Sequence, residues 1–550
     1  MEDIEEILRK AEFGVWNIKM LLAILFIILN CHIAYAFSAI VYGKVNYNCI
    51  LNTREKLKNE TFTFSNDSCF YSYSNASDEH KCSSFRFLHG ADFDSSWRSE
   101  YSLVCGRENY LNYDIAAMVL GNLLSTCFGN FVIDVIGRKS SVIVCNVICI
   151  VVSLIYLLPF PISVKLFARM IDAMSLRTCY YAAFVLMSES LRMIDAMSLR
   201  TCYYAAFVLM SESLINKHRV FFASFSESIF GAGISVSAVV SYIFPNWKMY
   251  IALRHLTASI LCCLLSILVL DESPKWLFHT KRRKKFNVLI QKIYSENGKQ
   301  LSEDIQMGLQ HLCKTPKKPK SFQDILFSVS FWNLYKSKKT ALRMVCLHFI
   351  WFTNFFTLYG LMFGPELFNL NTHMFFFICG LMYTPAAIIQ YFLSNKLGRK
   401  PANILCELFT ALGFVIVALL PSAKSYKVLK CIILVVVLIF HSTLFFNVII
   451  WTCELMPTSM RSTGIGISTF VAMLFVIPIR FFITSLQEIW IHLPVVMFCF
   501  SLLIAIFASM PLPEMRNQRL PDNLEEYTAL GSSVYHKLKL RQVTSTSPDS

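Results

Sequence analysis

Twelve apolar stretches, each near the length that crosses a lipid bilayer, run through this chain of 550 residues. About 20 helical residues cross a hydrocarbon core about 30 Å thick. A large soluble helical protein would need polar helix faces, and runs such as 432–440 have none. Only 16% of the residues are charged, against about 25% in soluble domains. The sequence therefore predicts an all-α polytopic membrane protein. The predicted spans lie at residues 19–42, 115–135, 140–160, within 164–212, and at 220–244, 250–270, 341–363, 373–394, 402–421, 428–452, 465–485 and 490–511.

Two short charged motifs occur once in each half of the chain. A Gly-Arg-Lys triplet follows an apolar stretch, and further on a glutamate precedes an arginine by seven residues. Charges beside membrane spans are costly, so their repetition needs a reason. Two similar halves of six helices, joined by a basic loop, describe a secondary transporter built from parallel repeats. The motif residues are Gly137, Arg138, Lys139, Glu212 and Arg219 in the first half, and Gly398, Arg399, Lys400, Glu454 and Arg461 in the second.

These motif residues are candidates for a gate. Asp134 can pair with Arg138 at the inner ends of helices, and the glutamate and arginine pairs can join the same charge relay. Such networks would lock the cytoplasmic side when the protein faces outward and break when it opens inward. Asn395 stands where the first half has Asp134, so we expect the second lock to be weaker. The alternative is a set of helix-end charges that orient the protein and have no gating role.

The basic residues predict the orientation. Between Lys281 and Arg343 there are fifteen basic and four acidic residues, a net +11 of the chain's +15. By the positive-inside rule this loop is cytoplasmic, so the basic excess is a topology signal and nucleic acid is not an expected partner. The N-terminus shows no cleavable signal pattern. The predicted divisions are a cytoplasmic N-terminus at 1–18, a first half at 19–271, a cytoplasmic loop at 272–340, a second half at 341–512 and a polar, disordered cytoplasmic tail at 513–550.

Residues 43–113 then form a long loop outside the membrane. It contains three glycosylation sequons, at Asn59, Asn66 and Asn75, with no proline in the middle position. Four cysteines in an oxidising compartment predict two disulfides with three possible pairings. These cysteines are Cys49, Cys69, Cys82 and Cys105.

A segment of the fourth predicted span is duplicated: residues 169–191 are repeated without a change as residues 192–214. From the triplet arginine to the motif glutamate is 55 residues in the second half but 74 in the first. Counting only to Glu189, in the first copy, gives 51. Both copies as one helix would run to roughly 70 Å, against a core of about 30 Å. We therefore expect one surplus copy, produced by a gene-model or exon-duplication artefact; the alternative is a true insertion that leaves one copy outside the bundle.

Four segments resemble known transporters. Residues 129–139 read Gly-x4-Asp-x2-Gly-Arg-Lys, residues 271–277 read Asp-Glu-Ser-Pro-Lys-Trp-Leu, and residues 454–461 read Glu-Leu-Met-Pro-Thr-Ser-Met-Arg. These are similar to motifs of the major facilitator superfamily. Residues 100–105, Glu-Tyr-Ser-Leu-Val-Cys, resemble a motif of solute carrier family 22, the organic ion transporters. The resemblance implies a major facilitator fold with 6+6 helices, multi-pass insertion in the plasma membrane, and transport of small organic ions.

A substrate site is expected near the midplane between the two halves. Trp351, Phe355 and Tyr359 of the seventh span are four residues apart and share one helix face. Aromatic faces attract organic cations and stack on flat organic anions. The alternative is a packed or lipid-facing aromatic stripe. Asn30 and Asn447 lie within spans and can orient a substrate or join helices by hydrogen bonds.

The charge of the substrate stays open. Family 22 members often carry an acid in the eleventh helix when they prefer cations and an arginine when they prefer anions, and here Met473 takes that position. Arg480, seven residues on, can bind an anion or reach the outer headgroups. Tyr203 is a further pocket candidate, and Tyr180 is the same residue in the other copy of the repeat. Arg177 replaces a small residue of the family pattern, which indicates either a pocket residue or lost transport.

Other function classes find little support. No Cys and His spacing indicates a metal site and no catalytic constellation appears, so we expect neither an enzyme nor a cofactor. The expected partners are a small organic ion and the lipid bilayer, with the oligomeric state open. No buried acidic cluster is evident that would indicate proton coupling. A sugar-type or zwitterion facilitator, and a degenerate member that binds without transport, are the alternatives.

Overall fold

A helix lies at each of the twelve predicted spans, in the part of the chain that the structure describes. The computed structural model describes residues 14–31, 37–38, 40–43, 46–50, 62–64, 69–73, 79–82, 84–88, 93–107, 109–129, 133, 136–191, 216–279, 282–300, 334–361, 371–421, 424–456, 461–490, 492–516, 521 and 524–529. The first six helices are α1 Val15–Cys31, α2 Asn109–Leu124, α3 Arg138–Leu157, α4 Ile162–Leu191, α5 Asn216–Ile243 and α6 Trp247–Leu268.

The second half has the same helical order. Its helices are α7 Lys338–Leu361, α8 Thr372–Lys396, α9 Arg399–Leu419, α10 Lys427–Leu455, the pair Arg461–Val476 and Ile479–Ile489, which together form α11, and α12 Leu493–Ser509. Within the described residues, six helices are long and apolar enough to cross a membrane, or seven when the α11 pair, bent by 43°, counts as one span. Helix α1 begins earlier than predicted, because Trp16 is buried and its indole N–H donates to Asp271 over 2.8 Å.

The loop after α1 folds into two small antiparallel sheets. Strands β1 Asn46–Ile50 and β5 Ser84–Leu88 form one sheet; β2 Phe62–Phe64, β3 Phe70–Tyr73 and β4 Glu79–Lys81 form the other. Disulfides join Cys49 to Cys82 and Cys69 to Cys105, one of the three possible pairings. The sequon residues Asn59, Asn66 and Asn75 lie outside the described residues. We call the end of the helix bundle that carries this loop the outer end, and the end at which α3 and α9 begin the inner end.

The first copy of the repeat forms most of α4. It supplies residues 169–191 of the helix, and Tyr180 is buried there. The second copy, with Tyr203 and Glu212, lies outside the described residues. The fourth helical position of the bundle is thus filled by one copy.

Part of the tail is ordered, in contrast to the prediction of a disordered segment. A short helix, Leu524–Ala529, packs on the inner end of α7. Arg343 donates to the backbone oxygen of Tyr527 over 2.6 Å, and the Tyr527 side chain is buried. The polar composition of residues 513–550 gave no indication of this contact. A single buried aromatic residue is enough to hold a short segment against the bundle.

The two halves meet most extensively where α5 crosses α8. A Cβ added to Gly231 of α5 would lie 2.2 Å from the backbone oxygen of Gly380, and one added to Gly380 would lie 2.4 Å from the oxygen of Gly231. Small residues let helices in a membrane approach closely. This crossing therefore depends on both glycines.

Candidate functional site

At the inner end of the first half, a glutamate holds the start of α3. Gly137 has a φ of 108°, which glycine adopts without steric cost. The backbone N–H groups of Arg138 and Lys139 donate to Glu272 Oε1 over 2.8 and 3.2 Å. A carboxylate here satisfies free N–H groups and the positive end of the helix dipole. Burial raises the pKa of Glu272, and the backbone donors of Ser273, Lys139 and Arg138 oppose that rise.

The second half repeats this arrangement at the start of α9. Gly398 has a φ of 106°, and the N–H groups of Arg399 and Lys400 donate to the Glu514 carboxylate over 2.9 and 2.8 Å. We call Gly137 with Glu272, and Gly398 with Glu514, the two inner clamps. The sequence carries one weak signal for Glu514, which is a glutamate within two residues of a proline and a few residues after the last helix of its half, as Glu272 is in the first half.

Two of the candidate gate residues, which the sequence did not predict as a pair, are in contact. Arg399 Nη2 lies 2.8 Å from Glu454 Oε1, and both side chains are less than 10% exposed. Arg399 also donates to the Ser394 backbone oxygen over 2.9 Å, so it has partners although Asn395 replaces the expected acid. Asn447 donates to the Arg399 backbone oxygen over 2.8 Å. The structure thus places Asn447, a predicted pocket residue, in contact with Arg399 and Ser394.

The candidate gate residues of the first half are only partly among the described residues. Asp134 and Glu212 lie outside the described residues, and the side chains of Arg219 and Arg461 are likewise not described. Arg138 is buried, with 6% of the residue exposed.

The aromatic stripe of α7 faces the protein interior. Trp351, Phe355 and Tyr359 are completely buried, which excludes a lipid-facing stripe. The ring centroids of Trp351 and Phe355 lie 5.8 Å apart, and those of Phe355 and Tyr359 lie 6.1 Å apart. Trp351 Nε1 donates to Thr452 of α10 over 3.1 Å. Asn122 of α2 donates to the Tyr359 hydroxyl over 3.2 Å, so the stripe reaches across to the other half.

Further contacts join the halves at the outer end. Arg480 Nε donates to Asn112 of α2 over 2.9 Å, and Arg480 is buried, so it does not extend to the headgroups. His373 of α8 and Ser241 of α5 share a hydrogen bond of 2.8 Å. These polar contacts between buried side chains close the outer end in this conformation.

The other predicted pocket residues lie inside single halves. The Asn30 side chain contacts Arg254 of α6 and donates to the Phe26 backbone oxygen over 2.8 Å. Met473 is completely buried in α11. Hydrogen bonding between helices, the alternative that the sequence left open, accounts for the Asn30 contacts.

The expectation that the chain has no buried acidic cluster is wrong. Asp114 of α2 and Asp172 of α4 are completely buried, together with Arg169 and His255 of α6. The cluster was not predicted from the sequence, for two reasons. Asp114 immediately precedes the predicted second span, and Asp172 lies inside the repeated segment, 58 residues further along the chain.

Comparison with known proteins places these features in a family. The model of the family described as "Sugar (and other) transporter" matches residues 45–527. The chain is 24% identical to the carcinine transporter of Drosophila melanogaster, over 80% of this chain and 61% of that protein. It is 23% identical to the organic cation transporter protein of the same fly, over 78% and 73%. It is 24% identical to solute carrier family 22 member 3 of Rattus norvegicus, over 82% and 75%.

Solved structures share the fold. The proton:xylose symporter XylE, bound to 6-bromo-6-deoxy-D-glucose, superposes with a TM-score of 0.55 at 13% identity, over 92% of this chain and 98% of that one. The inward open conformation of XylE from E. coli gives a TM-score of 0.55 at 14% identity, over 91% and 97%. At this identity the likeness concerns the fold alone.

Proposed function

Because this chain belongs to the sugar (and other) transporter family, within the major facilitator superfamily, we propose that it moves small organic ions across a membrane by alternating access. It is a multi-pass membrane protein similar to solute carrier family 22. The observation that carries the proposal is the twofold repetition of the inner clamp. Two halves that are clamped separately at the inner end can rock against each other as units.

In the transport cycle, the contacts between the two halves control the outer end of the bundle. The bonds from Arg480 to Asn112 and from His373 to Ser241 close the outer end and must break when it opens. The Arg399 and Glu454 pair belongs to the inner gate, together with Asn447 and the arginines of the repeated motifs. A substrate that favours one of these two arrangements shifts the population between them.

The aromatic stripe of α7 is the proposed substrate site. The Trp351 and Phe355 rings are stacked, and Tyr359 beside them contacts α2 of the other half. Such rings bind organic cations and flat organic ions. The relatives include proteins named for carcinine and organic cations, and we propose the same broad substrate class for this chain. A sugar substrate has no comparable support, because the XylE likeness shows the fold alone.

Uptake by cells that express the whole chain tests this proposal. We expect saturable uptake of a labelled organic cation or anion that an excess of unlabelled sugar does not reduce. Trp351→Ala should raise KM several-fold, up to about tenfold, which corresponds to the loss of one ring contact. Trp351→Phe should retain most of the affinity.

Phe349→Ala is the matched control, because Phe349 is half-buried two residues away on another face of α7. All variants need equal surface labelling with a membrane-impermeant reagent. An unchanged KM in Trp351→Ala at normal surface level contradicts the pocket. Absence of saturable uptake of either ion by the wild-type protein favours the non-transporting alternative.

A further inference from the structure

A single carboxyl group is buried in the core of the second half, apart from the gate pair and the aromatic stripe. Glu407 lies on α9, about two turns beyond Arg399, and none of its surface is exposed. Its Oε1 atom accepts one hydrogen bond of 2.9 Å, from the Asn403 side-chain amide. Its Oε2 atom is buried and has no hydrogen-bond partner among the described residues. An ionised carboxylate offers about four acceptor sites, so most of them are unsatisfied here.

The first half has a neutral amide at the matching position. Eight residues after the triplet arginine, the chain has Asn146 in α3 and Glu407 in α9. Asn146 donates to the Val142 backbone oxygen over 2.8 Å and thus has a partner within its own helix. The repeated fold therefore accepts a neutral side chain at this position, and the carboxyl group is a feature of the second half.

A chain of hydrogen bonds determines which atoms face Glu407. Asn447 donates to the Arg399 backbone oxygen over 2.8 Å, and the same nitrogen donates to Asn403 Oδ1 over 3.4 Å. The nitrogen of the Asn403 amide is therefore directed at Glu407 and at the Ser509 hydroxyl, which lies 3.3 Å away. The donor that Glu407 receives is thus a neutral amide and carries no charge.

The cations of the second half that the structure describes are bound elsewhere. Arg399 is paired with Glu454, and Arg343 and Arg480 bond to the tail and to α2, at opposite ends of the bundle. Glu407 forms no ion pair with a described residue. An unpaired ionised carboxylate in an apolar interior is so costly that the group takes up a proton instead. Glu407 therefore holds a proton in this arrangement.

The titratable groups around Glu407 do not compensate a charge on it. Helix α9 packs against α8, α10 and α12. The cysteine thiols of these helices are neutral at physiological pH. Both nitrogens of His441 are buried without a partner among the described residues, so a charge on that imidazole would be costly as well. The other titratable groups on α9 or on the helices packed against it are Lys396, Lys400, Cys406, Cys453 and Cys499. Lys396 is exposed at the inner end, and Lys400 bonds to the Met510 backbone oxygen over 2.6 Å.

The same hydrogen bonds connect Glu407 to the inner gate. Hydrogen bonds to an ionised acceptor are shorter and stronger than those to a neutral one. Ionisation of Glu407 would therefore draw the Asn403 amide toward the carboxylate and break its long bond to Asn447. Asn447 is the residue that holds the backbone of Arg399, whose side chain pairs with Glu454. Protonation of Glu407 thus favours the intact gate pair, and ionisation favours its opening.

We propose that Glu407 is a proton-binding site through which cytoplasmic pH controls the opening of the inner gate. The carboxyl group lies about 12 Å from the inner end of α9, in a hydrocarbon core about 30 Å thick, so the cytoplasm is the nearer source of protons. This inference rests on the proposed transport function.

Uptake at a controlled cytoplasmic pH tests the proposal. The cytoplasmic pH is set with an ionophore between about 5.5 and 9, which covers the range from ordinary to deeply buried glutamates, while the external pH is constant. Uptake by the wild-type protein should rise with cytoplasmic pH, by up to about tenfold per pH unit for one linked proton. Glu407→Gln has the shape of the protonated acid, and its uptake should be independent of cytoplasmic pH. Glu488→Gln, which alters an exposed glutamate of α11, should retain the wild-type pH profile.

A further variant separates the binding of the proton from its effect on the gate. Asn403→Leu removes the amide that joins Glu407 to Asn447. We expect this variant to lose the pH dependence of uptake, although Glu407 still titrates. The wild-type pH profile of uptake in Asn403→Leu would contradict the connection to the gate.

A second measurement does not depend on transport. The melting temperature of the purified full-length protein is followed against pH. An acid that keeps its proton in the folded state, at a pH where it ionises in the unfolded chain, stabilises the protein at low pH and loses this contribution as pH rises. Relative to Glu407→Gln, the wild-type protein should therefore lose melting temperature as pH rises.

The outcomes separate this inference from the proposed function. Saturable uptake with the same pH profile in the wild-type protein and in Glu407→Gln overturns the control of the gate, and parallel melting curves of the two overturn the proton site. If the wild-type protein takes up neither organic cations nor organic anions at any pH, the proposed function fails. The melting curves then decide on the proton: diverging curves support the site, and parallel curves reject it.

Discussion

Arg399 and Glu454 lie 2.8 Å apart at the inner end of the second half, where little water reaches either side chain. A buried pair of this kind contributes little net stability compared with apolar residues, but removing one partner leaves an uncompensated charge. Such a pair is suited to a gate because it holds while it is dry and weakens when water enters.

Glu454→Gln should destabilise the protein and impair the gate. Breaking a buried pair from one side costs about 3–5 kcal/mol, so we expect a lower melting temperature and reduced uptake at equal surface level. Glu296→Gln is the control. It breaks the exposed Lys19 pair of 3.2 Å, which should cost no more than about 1 kcal/mol. Equal melting temperatures for the two variants would contradict the assignment of Arg399 and Glu454 as a dry pair.

At the level of helices, the crossing of α5 and α8 sets how closely the halves approach. Gly231 and Gly380 leave no room for a methyl group at the contact. The polar bond between His373 and Ser241 lies further out on the same two helices. A change at the glycines should therefore be transmitted to the closure of the outer end.

Gly231→Ala should shift the protein away from the closed outer end. The added Cβ would lie 2.2 Å from the Gly380 oxygen, so one helix must move. We expect lower uptake and faster labelling of a cysteine introduced at Ser241 by an impermeant reagent. In Gly466→Ala, the control in α11, the new Cβ meets nothing within 4 Å. That variant should gain up to about 1 kcal/mol from helix propensity and keep normal labelling. Similar labelling rates in both variants would rule out the crossing as the determinant of closure.

For the whole molecule, the repeated segment determines which residues form the fourth helix of the bundle. The first copy occupies α4 and packs its charged residues into the bundle core. With that copy in place, the arginine to glutamate spacing of the first half is 51 residues, near the 55 of the second. Because the first copy alone fills the fourth helical position, we expect the second copy of 23 residues to be surplus.

Deleting residues 192–214 should therefore preserve or improve the protein. Because the copies are identical, deleting either one yields the same polypeptide. We expect equal or higher surface level, melting temperature and uptake, since the remaining copy supplies every described contact of α4. Deletion of 23 residues from α10 serves as the control and should abolish surface expression. Loss of folding in the repeat deletion would mean that the second copy is structural.

The predictability of each feature depends on how far apart its residues are in sequence. The spans, the Gly-Arg-Lys triplets and the aromatic face of α7 come from periodicity and repetition over short distances, and the structure contains each of them. Glu514 lies 115 residues from the N–H group of Arg399 that it accepts from, and Asp114 lies 55 residues from Arg169. No local pattern connects such pairs. The tail contact of Tyr527 with Arg343 spans 184 residues, and the polar composition of the tail gave no signal for it.

The sequence by itself determined the membrane class, the two equivalent halves and the family, because apolar length and repeated motifs are local properties of the chain. The tertiary structure decided which charges meet. It placed Asn447 with Arg399, brought Arg480 to Asn112 of the other half, and assembled Asp114, Arg169, Asp172 and His255 from three helices. The physical reason is that a buried charge is tolerated only beside its partner, and that partner is supplied by helix packing rather than by neighbours in sequence.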